Sequence, residues 1–321
     1  MADAQGNEDW PAGLEEMLVE NEARRARIAQ FREGQRQYLL DLGVPKSWLA
    51  HCQFMEMVDG VSDADPPASG RRVVFTAGGD SPWRSLRQFA RAVDFGFELS
   101  IDPPTDFDLN SLRPLFPRVK GLTVGGPHRT TGWSSLSESA LLFLWAGHPS
   151  EPLPVIPSLT RFVGTGAHCL TVLASERLVD ADIDLGGDLW EFSDTITSPL
   201  ESLHLERPRG MTALPALAHP ESLRSLVIHG QTSLDVAALA QCTNLRSLSL
   251  SRVREIHNLS AIKHLEHLDE VLITGARSID DWEVLLQLDV GRMVIERSPA
   301  IPIESQELLM SRAGSAAPRP D

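Results

Sequence analysis

The chain has 321 residues, with 29 Lys and Arg against 44 Asp and Glu, and a formal net charge of −15. That balance argues against a nucleic-acid binder and against docking on anionic membranes, since both draw on clustered cations. Hydrophobic residues make up 42% and aromatics only 6%, so the core is aliphatic and extensive enough to fold without disulfides.

The start, MADAQGNEDW, is acidic and lacks the basic and apolar regions of a secretory signal. The longest apolar run, ALLFLWAG from Ala140, is too short to span a bilayer. The chain therefore reads as cytoplasmic. Lys occurs only at Lys46, Lys120 and Lys263, an Arg bias that suggests a GC-rich bacterial coding sequence. Cys52, Cys169 and Cys242 lie far apart with no CxxC, so neither a disulfide framework nor a cysteine zinc site is expected.

Residues 1–60 are expected to be a helical segment. Leu14, Met17, Leu18, Ile28, Phe31, Leu39 and Leu40 carry a helical apolar pattern, Pro11 suits a first turn, and Gly43 suits a terminator. The stretch PKSWLAHCQFMEMV is expected to form a second helix. The segment caps the remainder of the chain, docks a second partner or self-associates.

Residues 61–118 are read as a linker, SDADPPASG, followed by atypical β/α units. RRVVFTAGG and FGFELSID are β-rich and are separated by the amphipathic SPWRSLRQFARAVD, with Ser81 as N-cap and Pro82 in the first turn. The glycine turn at 76–83 offers backbone N–H groups to an anion. It lacks a P-loop lysine, and Asp80 would repel phosphate. GTGAHC fails the dinucleotide pattern at Cys169, and TVGGPHRTTGW reads as a flexible loop.

From residue 119 to 310 a period governs the chain. The template L-x-x-L-x-L fits Leu200/Leu203/Leu205, Leu223/Leu226/Ile228, Leu245/Leu248/Leu250, Leu268/Val271/Ile273 and Val290/Met293/Ile295, at steps of 23, 22, 23 and 22 residues. A second apolar row follows at Met211, Leu234, Ile256, Ile279 and Ile301, and a looser third one at Leu214, Leu217, Leu259, Ile262, Trp282 and Leu285. Weaker copies precede these at Val119, Leu141, Leu159 and Leu178.

The spacing and the L-x-x-L-x-L core resemble the leucine-rich repeat family. The resemblance implies an α/β fold, a leucine-rich-repeat solenoid: a curved parallel sheet with helical or irregular return segments, behind an N-terminal helical cap. The family's ninth-position Asn or Cys is replaced by Pro208, Gln231, Val253, Ala276 and Ser298. With no asparagine ladder, the turns are expected to be less uniform. The closing stretch SRAGSAAPRPD is read as disordered, with a tail at 311–321.

In this register positions 3, 5 and 7 point away from the core and form an inner face. The candidate partner-binding residues on it are Trp145, Arg161, Asp182, His204 and Glu206 in the earlier units. Ser225, His229, Ser247, Ser249, Glu270 and Arg292 continue it. His264 and His267, three apart, lack a third metal ligand and read as surface. No catalytic residue and no cofactor is expected.

The function read from this is a non-enzymatic protein–protein interaction module, with a protein partner on the inner face. The alternatives are an immunity or inhibitor protein that neutralises a basic toxin, and a small-ligand receptor or enzyme using the glycine turn.

Overall fold

The computed structural model describes scattered residues between 22 and 46, residues 52–54 and 73–78, and residues 96–313 apart from 103–105, 127 and 191–194. It divides into two compact units, Met1–Thr76 with Pro82–Phe97, and Ala77–Ser81 with Glu98–Asp321.

In the first unit the described residues between 22 and 41 are helical, where a helical segment is expected; of the apolar pattern only Leu40 is among them, and the rest lies outside the described residues. The second expected helix is interrupted. Strand β1 (Cys52–Phe54) pairs antiparallel with β2 (Val73–Gly78), setting Cys52 opposite Phe75 and Phe54 opposite Val73. Ladder pairing with a β-branched and aromatic strand overrides a weak local helix preference. The rest of the glycine turn after Gly78, and the helix expected after Ser81, lie outside the described residues.

The second unit repeats strand, turn and return segment. Its strands are β3 (Phe97–Asp102), β4 (Phe107–Asp108), β5 (Val119–Val124), β6 (Thr130–Thr131), β7 (Phe143–Ala146) and β8 (Arg161–Thr165). Then come β9 (Asp180–Asp184), β10 (Ser202–Glu206), β11 (Ser225–His229), β12 (Ser233–Asp235) and β13 (Ser247–Ser251). Strands β14 (Glu255–His257), β15 (Glu270–Thr274), β16 (Ser278–Ile279) and β17 (Arg292–Glu296) complete the set.

Strands β3, β5, β7 to β11, β13, β15 and β17 lie side by side in that order in one large sheet. From β5 onward its neighbouring strands all pair in parallel. A smaller parallel sheet orders β12-β14-β16. Each residue pairs with its counterpart one period on, so Leu203, Leu226, Leu248, Val271 and Met293 stand in line.

That register follows from burial. All fifteen template positions from Leu200 to Ile295 are buried, as are Met211, Leu234, Ile256, Ile279 and Ile301. A slip of one residue would turn every leucine to solvent, so the pattern admits one alignment. The weaker copies join the same sheet, with Leu141, Leu144, Leu159, Phe162, Leu178 and Ile183 fully buried.

Return segments close with short 3₁₀ helices, among them Ala167–Ala174, Ala237–Gln241, Leu259–His264 and Trp282–Gln287. The looser third row is mixed, with Leu259, Ile262 and Leu285 buried and Leu214, Leu217 and Trp282 half-exposed. The stretch TVGGPHRTTGW is more ordered than a flexible loop. Thr130 and Thr131 pair with Phe107 and Asp108, and Trp133 is buried and donates its indole N–H to the Thr130 carbonyl at 2.9 Å.

The turns after the strands are uniform, against expectation. The eighth residue of each clear unit is left-handed: Arg207 at φ 53°, Gly230 at 78°, Arg252 at 54°, Gly275 at 76° and Arg297 at 50°. The backbone sets this regularity. The N–H groups of Arg207, Gly230, Arg252 and Gly275 donate to the last strand carbonyl of the next unit, at 2.7 to 2.9 Å. The ninth side chain is therefore not what imposes the turn, although two of the five do satisfy it. Gln231 donates to the carbonyls of Pro208 (2.8 Å) and Met211, and Ser298 accepts from the Ala276 N–H at 3.3 Å.

At the C-terminal end the helix Ile303–Ala313 packs on β17 and buries Leu309. Gln306 ties it down by donating to the carbonyls of Ser298 (3.0 Å) and Ile301 (2.7 Å). Order thus extends through residues 311–313, where a tail is expected, because the last strand needs its apolar side covered. No helix among the described residues is long and apolar enough to cross a membrane.

Candidate functional site

Alternation in the strands places positions 3, 5 and 7 on one face of the large sheet. These residues are half-exposed in β9, β10, β11, β13 and β15, between buried neighbours. The register then lines up rows across the strands. Trp145, Val163, Asp182, His204, Val227, Ser249, Leu272 and Val294 form the middle row.

Glycine follows the strands at this end, and a Cβ on Gly125 or Gly147, just past β5 and β7, would reach ordinary contact with the Trp145 indole at 3.4 or 3.5 Å. The ring lies beside these glycines and stays half-exposed. Phe143 lies two residues before it on the same face, with the Arg161 guanidinium 6.0 Å from its ring centroid. An amphipathic aromatic, with few side-chain torsions, costs little entropy to present.

Charges on the face are paired from strand to strand. Arg161 meets Asp180 at 3.1 Å, His204 Nδ1 meets Asp182 at 3.1 Å, and Arg207 pairs with Asp184. At the far end Arg292 meets Glu270 at 2.7 Å, and Ser247 donates to the other Glu270 oxygen at 3.2 Å. Exposed pairs of this kind contribute roughly 0–1 kcal/mol each; they fix orientation rather than stability. The middle of the face, Ser225, Ser249 and His229, is small and polar, and the side chains of Ser225 and His229 carry no hydrogen bond among the described residues.

Asp182 and His204 therefore come together, while His229 stands in register with Glu206, one row away, and joins neither. That separation removes a His204–His229–Asp182 catalytic constellation. Arg161, Glu206 and the serines stand where the period places them.

The Asp182 carboxylate, by its hydrogen bond, raises the pKa of His204 above its ordinary 6.5, against the lowering effect of burial. A group whose folded pKa is raised stabilises the fold fully below its unfolded pKa and loses that contribution as pH rises through the folded one. In NMR titration His204 is expected to titrate above 6.5, and Asp182→Asn to bring it down. Titration unchanged by Asp182→Asn would break the assignment of cause.

One cluster carries no motif in the sequence, although its members are about one period apart. His257 Nδ1 meets Asp280 at 2.8 Å and its Nε2 meets Ser233 Oγ at 3.1 Å, across β12, β14 and the residue after β16. The order nucleophile, imidazole, carboxylate is that of a hydrolytic triad. The Asp280 hydrogen bond, with the Glu255 and Asp235 charges, raises the His257 pKa against the lowering effect of burial. Asp235 with Asn258 (2.9 Å) and Ser260 with Asp281 (2.8 Å) bridge the same units, so the cluster reads as inter-unit bonding.

Cys169 and Cys242 are free, and burial pushes their thiols up to about 12 and about 11, which makes both inert as nucleophiles. A cavity of about 210 Å³ lies between Leu203, Leu226, Leu239 and the irregular segment Leu214–Leu217. Its lining holds no charged side chain. No group of three metal-ligating side chains occurs among the described residues. Comparison with family models, curated proteins and solved structures finds no match.

Proposed function

We propose that the chain is a non-enzymatic leucine-rich-repeat solenoid that binds a protein partner on the inner face of its sheet. The observation that carries this reading is the face itself: in-register rows of half-exposed side chains, with Trp145 beside Gly125 and Gly147 at one end. Such an aromatic, in register with Val163 and with Asp182 one strand further on, is the type of residue that concentrates binding energy, while the small serines beyond it leave room for a partner's backbone. Two buried, unpaired thiols suit a reducing compartment, consistent with work in the cytoplasm. The inhibitor reading draws only on net charge and gains little here, because Asp180 and Asp184 are paired with arginines and Asp182 with the His204 imidazole.

The test is retention of proteins from a native extract by the full chain and by Trp145→Ala. A protein held in stoichiometric amount by the parent, and bound more than about tenfold more weakly by Trp145→Ala with unchanged melting, supports the reading. Equal retention by both, or a stoichiometric small molecule with no protein, overturns it.

A further inference from the structure

Beyond the inner face, the turns after β13, β15 and β17 carry a concentration of positive charge in a chain of net charge −15. Arg252, Arg254, Arg277 and Arg297 are all exposed there. Arg277 donates its backbone N–H to the Arg254 carbonyl at 2.7 Å, so these two are direct neighbours in adjacent units. Like charges side by side are destabilising unless something outside compensates them.

Nothing inside does. No carboxylate oxygen lies within 4.0 Å of these four guanidinium groups among the described residues, whereas Arg207, at the same turn position two units earlier, is held by Asp184. The flanking carboxylates have other contacts or stand apart: Glu255 lies 3.9 Å from His257, and Glu296 is exposed at the strand end.

The backbone supplies an independent observation. Arg252 and Arg297 occupy the left-handed position that Gly230 and Gly275 hold in alternate units. A side chain at such a position costs stability that glycine does not. Arg207 shares that strain while paired to Asp184, whereas Arg252 and Arg297 keep it with no such partner among the described residues.

We propose that this arginine edge binds an extended acidic peptide segment of a partner protein. Arg252 and Arg297 stand two strands apart, about 10 Å, and carboxylates three residues apart in an extended polyproline II segment, with three residues per turn, share one face at about the same distance. Arg277 lies in the repeat between them, and Arg254, two residues after Arg252, stands next to Arg277. A polyphosphate backbone fits less well. Its charge, one per roughly 1.7 Å in duplex DNA, continues past the edge toward a surface of the same sign.

The test uses the full chain and a fluorescein-labelled peptide, Glu-Gly-Ser-Glu-Gly-Ser-Glu, read by anisotropy at low salt. Saturable binding is expected, weakened about tenfold or more by Arg252→Gly/Arg297→Gly and by Arg254→Gln/Arg277→Gln. The glycine pair suits the left-handed backbone, so its melting temperature should not fall, which separates lost binding from lost folding. Trp145→Ala should bind the peptide as the parent does, so failure of the inner-face reading and failure of this one are distinguishable. No saturable binding, equal binding by the variants, or tighter binding of an oligodeoxythymidine overturns the proposal.

Discussion

Replacing Phe162 by alanine is expected to cost about 3–5 kcal/mol, the largest single effect predicted for this chain. Its ring is fully buried in β8, in line with Leu144 on one side and Ala181 on the other. Gly164, two residues on, is the small partner that makes room for it. A Cβ at Gly164 would fall 2.3 Å from the tip of the Phe162 ring and 2.7 Å from the Cys169 sulfur. In register beside Gly164 stand Ala146 and Ile183. With Ala181 beside Phe162 and Ala146 beside Gly164, only Leu144 and Ile183 can lean in, which leaves most of the hole of Phe162→Ala unfilled.

The same geometry predicts the reverse error. Gly164→Ala should cost roughly 1–3 kcal/mol by overpacking, and less in a Phe162→Leu background, where the ring tip is gone. Chemical denaturation of the two single variants and the double one measures the coupling. Additive losses would show that the ring and the glycine do not share one space.

Gln231→Ala is expected to cost about 2–3 kcal/mol, although the residue is polar and sits in a turn. Its side chain is 5% exposed. The amide N donates to the carbonyls of Pro208 and Met211, in the preceding unit, and Oε1 accepts from the Thr232 N–H at 2.8 Å. Alanine leaves these carbonyls without a donor where little water reaches them. Gln231→Glu should fare no better, since a carboxylate would face the two carbonyls. The equivalent position in the next unit, Val253, is buried and apolar; Val253→Ala should cost only the lost methyl groups, about 1–2 kcal/mol. Equal losses at 231 and 253 in denaturant melts would mean that the hydrogen bonds of Gln231 add nothing.

These two residues mark the border of what a linear reading can reach. The rows led by Leu200, Leu223, Leu245, Leu268 and Val290 are legible because burial repeats at a constant stride, and a strand's alternation is a local property of the chain. Positions 3, 5 and 7 follow from the same alternation, which is why Trp145, Asp182 and His204 stand where the stride puts them. Gly164 breaks the template at its sixth place, and only the packed core shows that Phe162 fills both positions.

The strand at 52–54 is missed because its partner lies at 73–75, and no local preference encodes that pairing. The helix through residues 311–313 is missed because what orders it is the exposed apolar end of β17. Ser233, His257 and Asp280 are spaced 24 and 23 residues apart, and they meet only because neighbouring units align.

The ninth position teaches the same lesson. Loss of asparagine there suggests irregular turns, yet the turns are regular, because backbone N–H groups reaching the next unit hold the left-handed residue whatever side chain comes after it. The order of hydrophobic and polar residues was enough to specify the parallel sheet, its register and the face that looks outward, since burial of apolar surface acts on a periodic pattern. Which charges are neutralised, and which arginines are left without a partner, was decided only when the units stacked. Electrostatic pairing depends on distances across strands, and residues 22 apart in the chain come within a few ångströms only in the fold.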